Sequence, residues 1–262
     1  MNGHISPSQL SMWKKCPRLW AYAYLDGIRL PPAGAQHLGS SFHKAAEVQN
    51  VQKVTTRTDL PADELEDRYA DHFKSIPPSE IEWEDDKPEK VYDDGARLVR
   101  LFAVTAAPKT QPVAVEQRVE IPTDGPPIVC VIDVIDETGA VRDYKTKGRA
   151  ASSDEAANSE QLTAYTAAHD FQFGHPPAKV ALDIFVRPSK TRPTGFHESQ
   201  ESVRTGAQVA IWLDDAKAVV SQMEHATETG LFPYAPADSW ACSEKFCGMW
   251  KFCPGGAKRR GE

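Results

Sequence analysis

The stretch "VIDVIDETGAVRDYKTK", residues 131–147, holds side chains that could do chemistry. On an extended strand Asp143 and Lys145 are two residues apart and share a face. With "ETG" as a short hairpin loop and Gly139 supplying a positive φ, Asp133 falls opposite or nearly opposite Asp143, their Cβ atoms roughly 5 Å apart. Two carboxylates facing each other between apolar neighbours repel, and such a pair requires a shared proton or a cation. Oxygen ligands of this kind suit Mg²⁺ or Mn²⁺. Lys145 adds a donor able to orient or activate a water, or to stabilise a phosphoryl transition state. A lone strand carboxylate usually faces water, so the argument rests on the three residues together in one Val/Ile-rich register. Asp136 lies at the turn and is read as turn chemistry.

A second set lies in "ACSEKFCGMWKFCPGG", residues 241–256, where Cys242, Cys247 and Cys253 place three of the five cysteines within twelve residues. This is one thiolate short of a four-cysteine metal site. No apolar run approaches the roughly 20 residues of a membrane span, and "MNGHISPSQLSMWKKC" lacks the charged start and apolar stretch of a signal peptide. The expectation is a cytoplasmic protein that does not enter a membrane. In a reducing compartment clustered cysteines hold metal or do chemistry more often than they pair; iron–sulfur and zinc both remain open for this set.

The elements that position these residues can be read from periodicity and punctuation. Ser6, Pro7 and Gln9 form a helix start, with Ser6 as N-cap and Gln9 completing a capping box, and Pro17 after Cys16 interrupts that helix. A second helix begins near Ser40 or Ser41 and runs through "FHKAAEVQN"; residues 60–76 and about 86–106 read as two more, polar and acidic on one side. From Pro112 the period changes to that of strands: "PVAVEQRVEI", "PIVCVIDVID" and "AVRDYK" form three successive antiparallel strands. A helix over 154–172, a fourth strand "KVALDIFVR" and a long helix from about Gly206 to Thr229 precede the cysteine tail. The expected class is α/β, a mixed central sheet flanked by helices with a helical insertion. One domain is expected over 1–262: a helical part to about 110, a sheet core over about 111–190, and a C-terminal helix and tail over about 204–262.

Composition is that of a globular chain, 40 % hydrophobic and 26 % charged. A net charge of −7 argues against indiscriminate coating of nucleic acid. The charge is uneven, however. Acidic residues dominate from Asp59 to Asp94, while Lys14, Lys15, Arg18, Lys145, Lys147, Arg149, Lys258, Arg259 and Arg260 form basic clusters that could contact a phosphate backbone. His43 and Glu47 are four apart on one helical face, as are Gln161 and Tyr165. Glu116, in "AVEQRV", is a weaker candidate for a ligand or water contact beside the hairpin.

"IDVID…VRDYKTK" resembles motifs II and III of the PD-(D/E)xK nuclease superfamily, in its RecB-like exonuclease branch, which includes CRISPR-associated RecB-like exonucleases, the AddB nuclease domain and phage-encoded relatives. "ISPSQLSMWKKCPRLWAYAYL" resembles the branch's opening helix with its Cys-Pro, "LGSSFHKAAE" its G-x-x-x-H helix, and "EQLTAYTAAH" its Q-x-x-x-Y motif. The resemblance implies a restriction-endonuclease-like core that hydrolyses DNA. His43, Asp133, Asp143 and the main-chain carbonyl of Tyr144 would hold Mg²⁺ or Mn²⁺, Lys145 would position the attacking water, and Gln161 and Tyr165 would contact DNA or the active site. It further implies a [4Fe–4S] cluster on Cys16, Cys242, Cys247 and Cys253, although the C-terminal spacing here is C-x4-C-x5-C where the branch commonly has C-x2-C-x5-C. Cys130, three residues before Asp133, is read as a buried strand residue. The implied activity is an exonuclease on single strands or duplex ends, of 5′-to-3′ polarity, in recombination, repair or CRISPR adaptation. A non-catalytic nucleic-acid-binding or assembly module with a four-cysteine metal site is the rival. The aromatic residues Trp13, Trp20, Trp240, Phe246, Trp250 and Phe252 would pack the core, shield the cluster or stack on bases.

Overall fold

The structure, a computed structural model, describes residues 3–236, 238–256 and 261. In chain order its elements are α1 (Pro7–Lys15), α2 (Pro17–Tyr24), α3 (Gly34–Thr56), α4 (Ala62–Lys74), α5 (Pro88–Thr105), β1 (Pro112–Ile121), β2 (Ile128–Asp136), β3 (Ala140–Lys147), α6 (Glu155–Asn158), α7 (Glu160–Phe173), β4 (Lys179–Val186), β5 (Phe196–Ser202) and α8 (Gly206–Thr229). They divide into two compact units, one of residues 31–119 and 131–209 and the other of residues 1–30, 120–130 and 210–262.

The first unit is built on a five-stranded sheet in the order β1-β2-β3-β4-β5. β2 and β3 run antiparallel, β3 and β4 parallel, and β4 and β5 antiparallel, so the sheet is mixed. The parallel step is what a helical crossover permits, and α6 and α7 supply it. The β2–β3 turn forms because Gly139 takes φ +76 while Asp136 Oδ1 accepts from the amides of Thr138 (2.9 Å) and Ala140 (3.1 Å). Against the sheet, Phe42 of α3 and Phe102 of α5 meet Tyr144 and Phe185 in one aromatic cluster, with ring centroids 4.8–5.9 Å apart for Phe42–Phe185, Phe42–Phe102, Phe102–Tyr144 and Phe102–Phe185. All four rings are at most 1 % exposed, and each contributes about 1.5–3 kcal/mol by leaving water. The cluster fixes α3 over β3, and Gly39 permits the approach, since a Cβ there would lie 3.3 Å from Thr146 Oγ1.

In the second unit Ser6 caps α1 by accepting from the Gln9 amide (3.3 Å). The reciprocal half of the expected capping box is not made as read, because Gln9 Oε1 accepts from Trp20 Nε1 at 3.1 Å in the buried interior. Pro17 excludes helical backbone at the residue before it, and Cys16 accordingly sits at φ −165, ψ 105, between α1 and α2. Ile5 bridges Ile128 in parallel, and Trp13 packs edge-on against Trp20 and Phe232.

Three expectations need correction. The helix placed at Ser40 or Ser41 starts at Gly34; its first turns carry Gly34 and Gly39, which read as loop but are required by close packing against Trp83 and Thr146. The helix over 154–172 is two, broken at Ser159, whose hydroxyl caps α7 by accepting from the Leu162 amide. β5 was not anticipated, because "FHESQES" is polar on both faces and partly exposed throughout, and so lacks the alternation that marks a half-buried strand.

Candidate active site

The pairing of β2 with β3 runs through Ile135↔Val141 and Val134↔Arg142; one step further in that register Asp133 stands opposite Asp143. Beyond the paired residues the Tyr144 amide donates to Asp133 Oδ2 (3.2 Å). His43, carried on α3, brings Nδ1 to 3.5 Å from the same oxygen. From the other side Tyr165 of α7 donates to Asp133 Oδ1 (3.4 Å), and Gln161 Nε2 donates to Tyr165 Oη (2.8 Å). Lys145 Nζ lies 3.1 Å from Asp143 Oδ1. The structure thus brings His43, Asp133, Asp143, Tyr144, Lys145, Gln161 and Tyr165 to one place.

Asp143 is the anomaly of the group. It is 1 % exposed, and its Oδ2 accepts no hydrogen bond although Lys145 Nζ is 3.0 Å away: close enough to form an ion pair, but not along a hydrogen-bonding direction. Burial, and after it the charge of Asp133, push the Asp143 carboxyl up to about 7 against the opposing pull of Lys145. Burial likewise lowers the His43 pKa, with Asp133 working the other way, so the imidazole is biased toward its neutral, metal-ligating form. Glu116 is exposed as a residue; partial burial, followed by the charges of Asp133 and Glu47 and against that of Lys44, raises its pKa to about 7.

Among the described residues no three His, Cys, Asp or Glu side chains are closed around a common point as they would be on a bound ion. The donor set nevertheless fits a hard divalent cation. A buried carboxylate oxygen without a hydrogen bond, a second carboxylate opposite it and a neutral imidazole are unfavourable together in a low-dielectric setting and complementary to a cation.

A second buried network, with no sequence signal that singled it out, lies beside the site. Arg142 donates to Asp136 Oδ2 (2.7 Å) and to Asp183 Oδ2 (3.1 Å), and His197 Nε2 is 3.0 Å from Asp183 Oδ1. Asp136 therefore does more than form the turn. Burial by itself would raise the Asp183 carboxyl, but His197 and Arg142 outweigh it and hold the group below its ordinary value.

The five cysteines are free thiols. Cys16, Cys242, Cys247 and Cys253 line one cavity of about 420 Å³ together with Tyr22 and Trp250. Burial raises the Cys247 pKa, and the other three thiols add to the rise while the Met249 amide opposes it. Cys130 is fully buried on β2 and its thiol is pushed up to about 12 by burial. Trp13 and Trp20 are core residues, whereas Trp240, Phe246 and Phe252 are exposed.

Of the basic residues, Lys14, Lys15 and Arg149 are exposed, Lys147 pairs with Glu155, and the Arg18 guanidinium lies over the rings of Tyr22, Phe232 and Tyr234 at 5.4–5.9 Å. Lys258, Arg259 and Arg260 lie outside the described residues. No helix among the described residues is long and apolar enough to cross a membrane.

A family model described as the PD-(D/E)XK nuclease superfamily matches residues 4–254. A crystal structure described as "Putative exonuclease" from Eubacterium rectale superimposes with a TM-score of 0.59 at 10 % identity, covering 93 % of this chain and 87 % of that one. A second solved structure, SSO0001, gives a TM-score of 0.40 at 15 % identity, covering 98 % of this chain and 88 % of that one. No curated protein matches the chain.

Proposed function

The chain belongs to the PD-(D/E)XK nuclease superfamily, and from that premise we propose that it is a Mg²⁺- or Mn²⁺-dependent exonuclease that hydrolyses DNA from single-stranded or duplex ends. The observation that carries this reading is the buried Asp143 opposite Asp133, with an oxygen free of hydrogen bonds and Lys145 beside it. His43, Asp133, Asp143 and the Tyr144 carbonyl would hold the ion. When bound, the ion supplies a Lewis acid that offsets charge gathering on the phosphate oxygens and lowers the pKa of water.

The chain's own groups supply orientation. The Tyr144 amide and the Tyr165 hydroxyl each take one oxygen of Asp133, which fixes the carboxylate plane, and Gln161 fixes Tyr165 in turn. Lys145, with a side chain about one-third exposed, can reach both Asp143 and solvent, and so positions a water for attack on phosphorus. Substrate end selection, a 5′-to-3′ polarity and a role in recombination, repair or CRISPR adaptation are proposed on the resemblance of His43, Asp133, Asp143-x-Lys145 and Gln161-x-x-x-Tyr165 to RecB-like motifs, and a cytoplasmic setting is proposed with them.

The cysteine cavity is proposed to hold a [4Fe–4S] cluster on Cys16, Cys242, Cys247 and Cys253. What supports this reading is that the four cysteines line one cavity of about 420 Å³ and that their C-terminal triplet with Cys16 resembles a cluster-binding set. Hydrolysis needs no redox centre, so the cluster's role is structural: it joins the α1–α2 break to the C-terminal tail, as ligation couples to folding.

The test is digestion of 5′- and 3′-end-labelled single- and double-stranded DNA with Mg²⁺ or Mn²⁺. Ion-dependent release from the 5′ end by the wild type, and none by Asp143→Ala, is expected. Intact DNA in every condition would overturn the reading.

A further inference from the structure

We infer that Glu116 completes the divalent-ion site as its solvent-side carboxylate, carried there by a bulge in β1; the inference rests on the proposed ion at Asp133 and Asp143. The first observation is a slip in the strand's alternation. Pro112 and Ala114 are the covered positions at its start, but Val115, Gln117, Val119 and Ile121 are the covered ones afterwards, so two successive residues, Ala114 and Val115, turn inward. One residue later Glu116 takes φ +49. An extra residue in one strand is how a β-bulge forms, left-handed backbone marks one class of bulge, and bulges beside active sites re-aim a side chain.

The identity of the residue sharpens the point. Left-handed backbone suits glycine or asparagine, and a glutamate held there is a strained position that the fold maintains at a functional site more often than elsewhere. The charges acting on Glu116 are those of Asp133 and Glu47, with Lys44 opposing them. Lys44 is already paired with Glu47 at 2.9 Å. Glu116 therefore adds negative charge next to a carboxylate that already faces another, an arrangement that a cation relieves. The ion itself is the one proposed at Asp143, whose Oδ2 is buried without a hydrogen bond, and β1 lies next to β2, which carries Asp133.

A glutamate on the open side has a purpose that Asp143 cannot serve. Asp143 is 1 % exposed and would hold an ion from within the sheet, whereas Glu116, exposed as a residue, would supply a carboxylate from the solvent side.

The experiment is calorimetric titration of MnCl₂ into metal-free full-length wild type, Glu116→Gln, Glu116→Gly and Asp143→Asn, with thermal denaturation and DNA digestion alongside. Glu116→Gln is expected to weaken Mn²⁺ binding about tenfold, or to remove one bound equivalent, with digestion restored at high Mn²⁺. Glu116→Gly is expected to lose Mn²⁺ affinity equally while its midpoint of melting rises by roughly 2 °C as the left-handed position is relaxed. Wild-type affinity and stoichiometry in Glu116→Gln would overturn the inference alone, and so would Mn²⁺ binding in Glu116→Gly equal to the wild type. A wild type that binds no Mn²⁺, indistinguishable from Asp143→Asn, would overturn the underlying ion site and this inference with it.

Discussion

Asp143 and Asp183 lie on adjacent parallel strands, β3 and β4, buried to within 1–2 % exposure, yet their carboxyls shift in opposite directions. The difference is in their partners. Asp183 is held by Arg142 and His197 at 3.0–3.1 Å, while Asp143 faces Asp133 with one oxygen unbonded. At equal burial the partners thus separate a carboxylate held by a guanidinium and an imidazole from one that faces a second carboxylate. The paired substitutions should part accordingly: in metal-free protein near pH 8, Asp143→Asn is expected to raise stability by about 2 kcal/mol by removing a buried, repelled charge. Asp183→Asn should lower it by about 3 kcal/mol by leaving Arg142 short of a partner. Urea denaturation of both variants measures the two signs directly.

The same group sets a pH dependence. An unfolded Asp titrates near 4 and Asp143 near 7 in the fold, so the native state holds this proton more tightly. Its contribution to stability is complete below about pH 4 and is lost as pH rises to about 7. The stability advantage of Asp143→Asn over wild type should therefore open between pH 4 and 7 and level off above. Mn²⁺ affinity should move the other way, increasing up to about pH 7, since the proton must leave before the carboxylate can bind a cation. Wild-type Mn²⁺ affinity that stays flat from pH 5 to 8 would contradict this assignment.

How much of this was open to reading from the sequence depends on whether the signal was local. The Asp133/Asp143 opposition was legible because hairpin register follows from turn length, and "DETGA" leaves few choices. The break at Cys16 followed from Pro17, and the long helix read from about Gly206 to Thr229 is α8. The early start of α3 was hidden because Gly34 and Gly39 announce loops unless one knows that Trp83 and Thr146 press against them. β5 was hidden because an edge strand need not alternate. Asp183 and His197 are polar residues in or near strands, and only the tertiary pairing with Arg142 shows that they are buried and bonded to one another. Glu116 could be noted as a candidate, but its left-handed backbone and slipped register cannot be inferred from "AVEQRV".

Tyr165 donates to Asp133 and Gln161 to Tyr165, so in the proposed site both are positioning residues. Tyr165→Phe removes the hydroxyl that donates to Asp133 while keeping the ring, which is 4 % exposed. It is expected to lower kcat about tenfold with little change in stability, on the scale of one misoriented catalytic group. Gln161→Ala should give a smaller loss, and the double variant should match Tyr165→Phe alone, because Gln161 works through the tyrosine hydroxyl. Additive losses measured by steady-state digestion would show that Gln161 has a contact of its own.

The cysteines allow a sharper contrast, because one of the five stands apart. Cys16, Cys242, Cys247 and Cys253 share a cavity, whereas Cys130 lies fully buried in β2 with a thiol shifted away from ionisation. In protein purified anaerobically, Cys130→Ala should remain brown, with about four iron atoms bound as the four-thiolate ligand set requires, and lose about 1 kcal/mol to the small cavity left behind. Cys16→Ala should lose most of the colour and iron and melt at lower temperature, since the proposed cluster would join the α1–α2 break to the tail and ligation stabilises only the folded state. Zinc in place of iron in the wild type, or full colour in Cys16→Ala, would remove the cluster while leaving the hydrolytic site at Asp133 and Asp143 unaffected as a reading. Those two carboxylates depend on hairpin register and burial, neither of which involves the thiols.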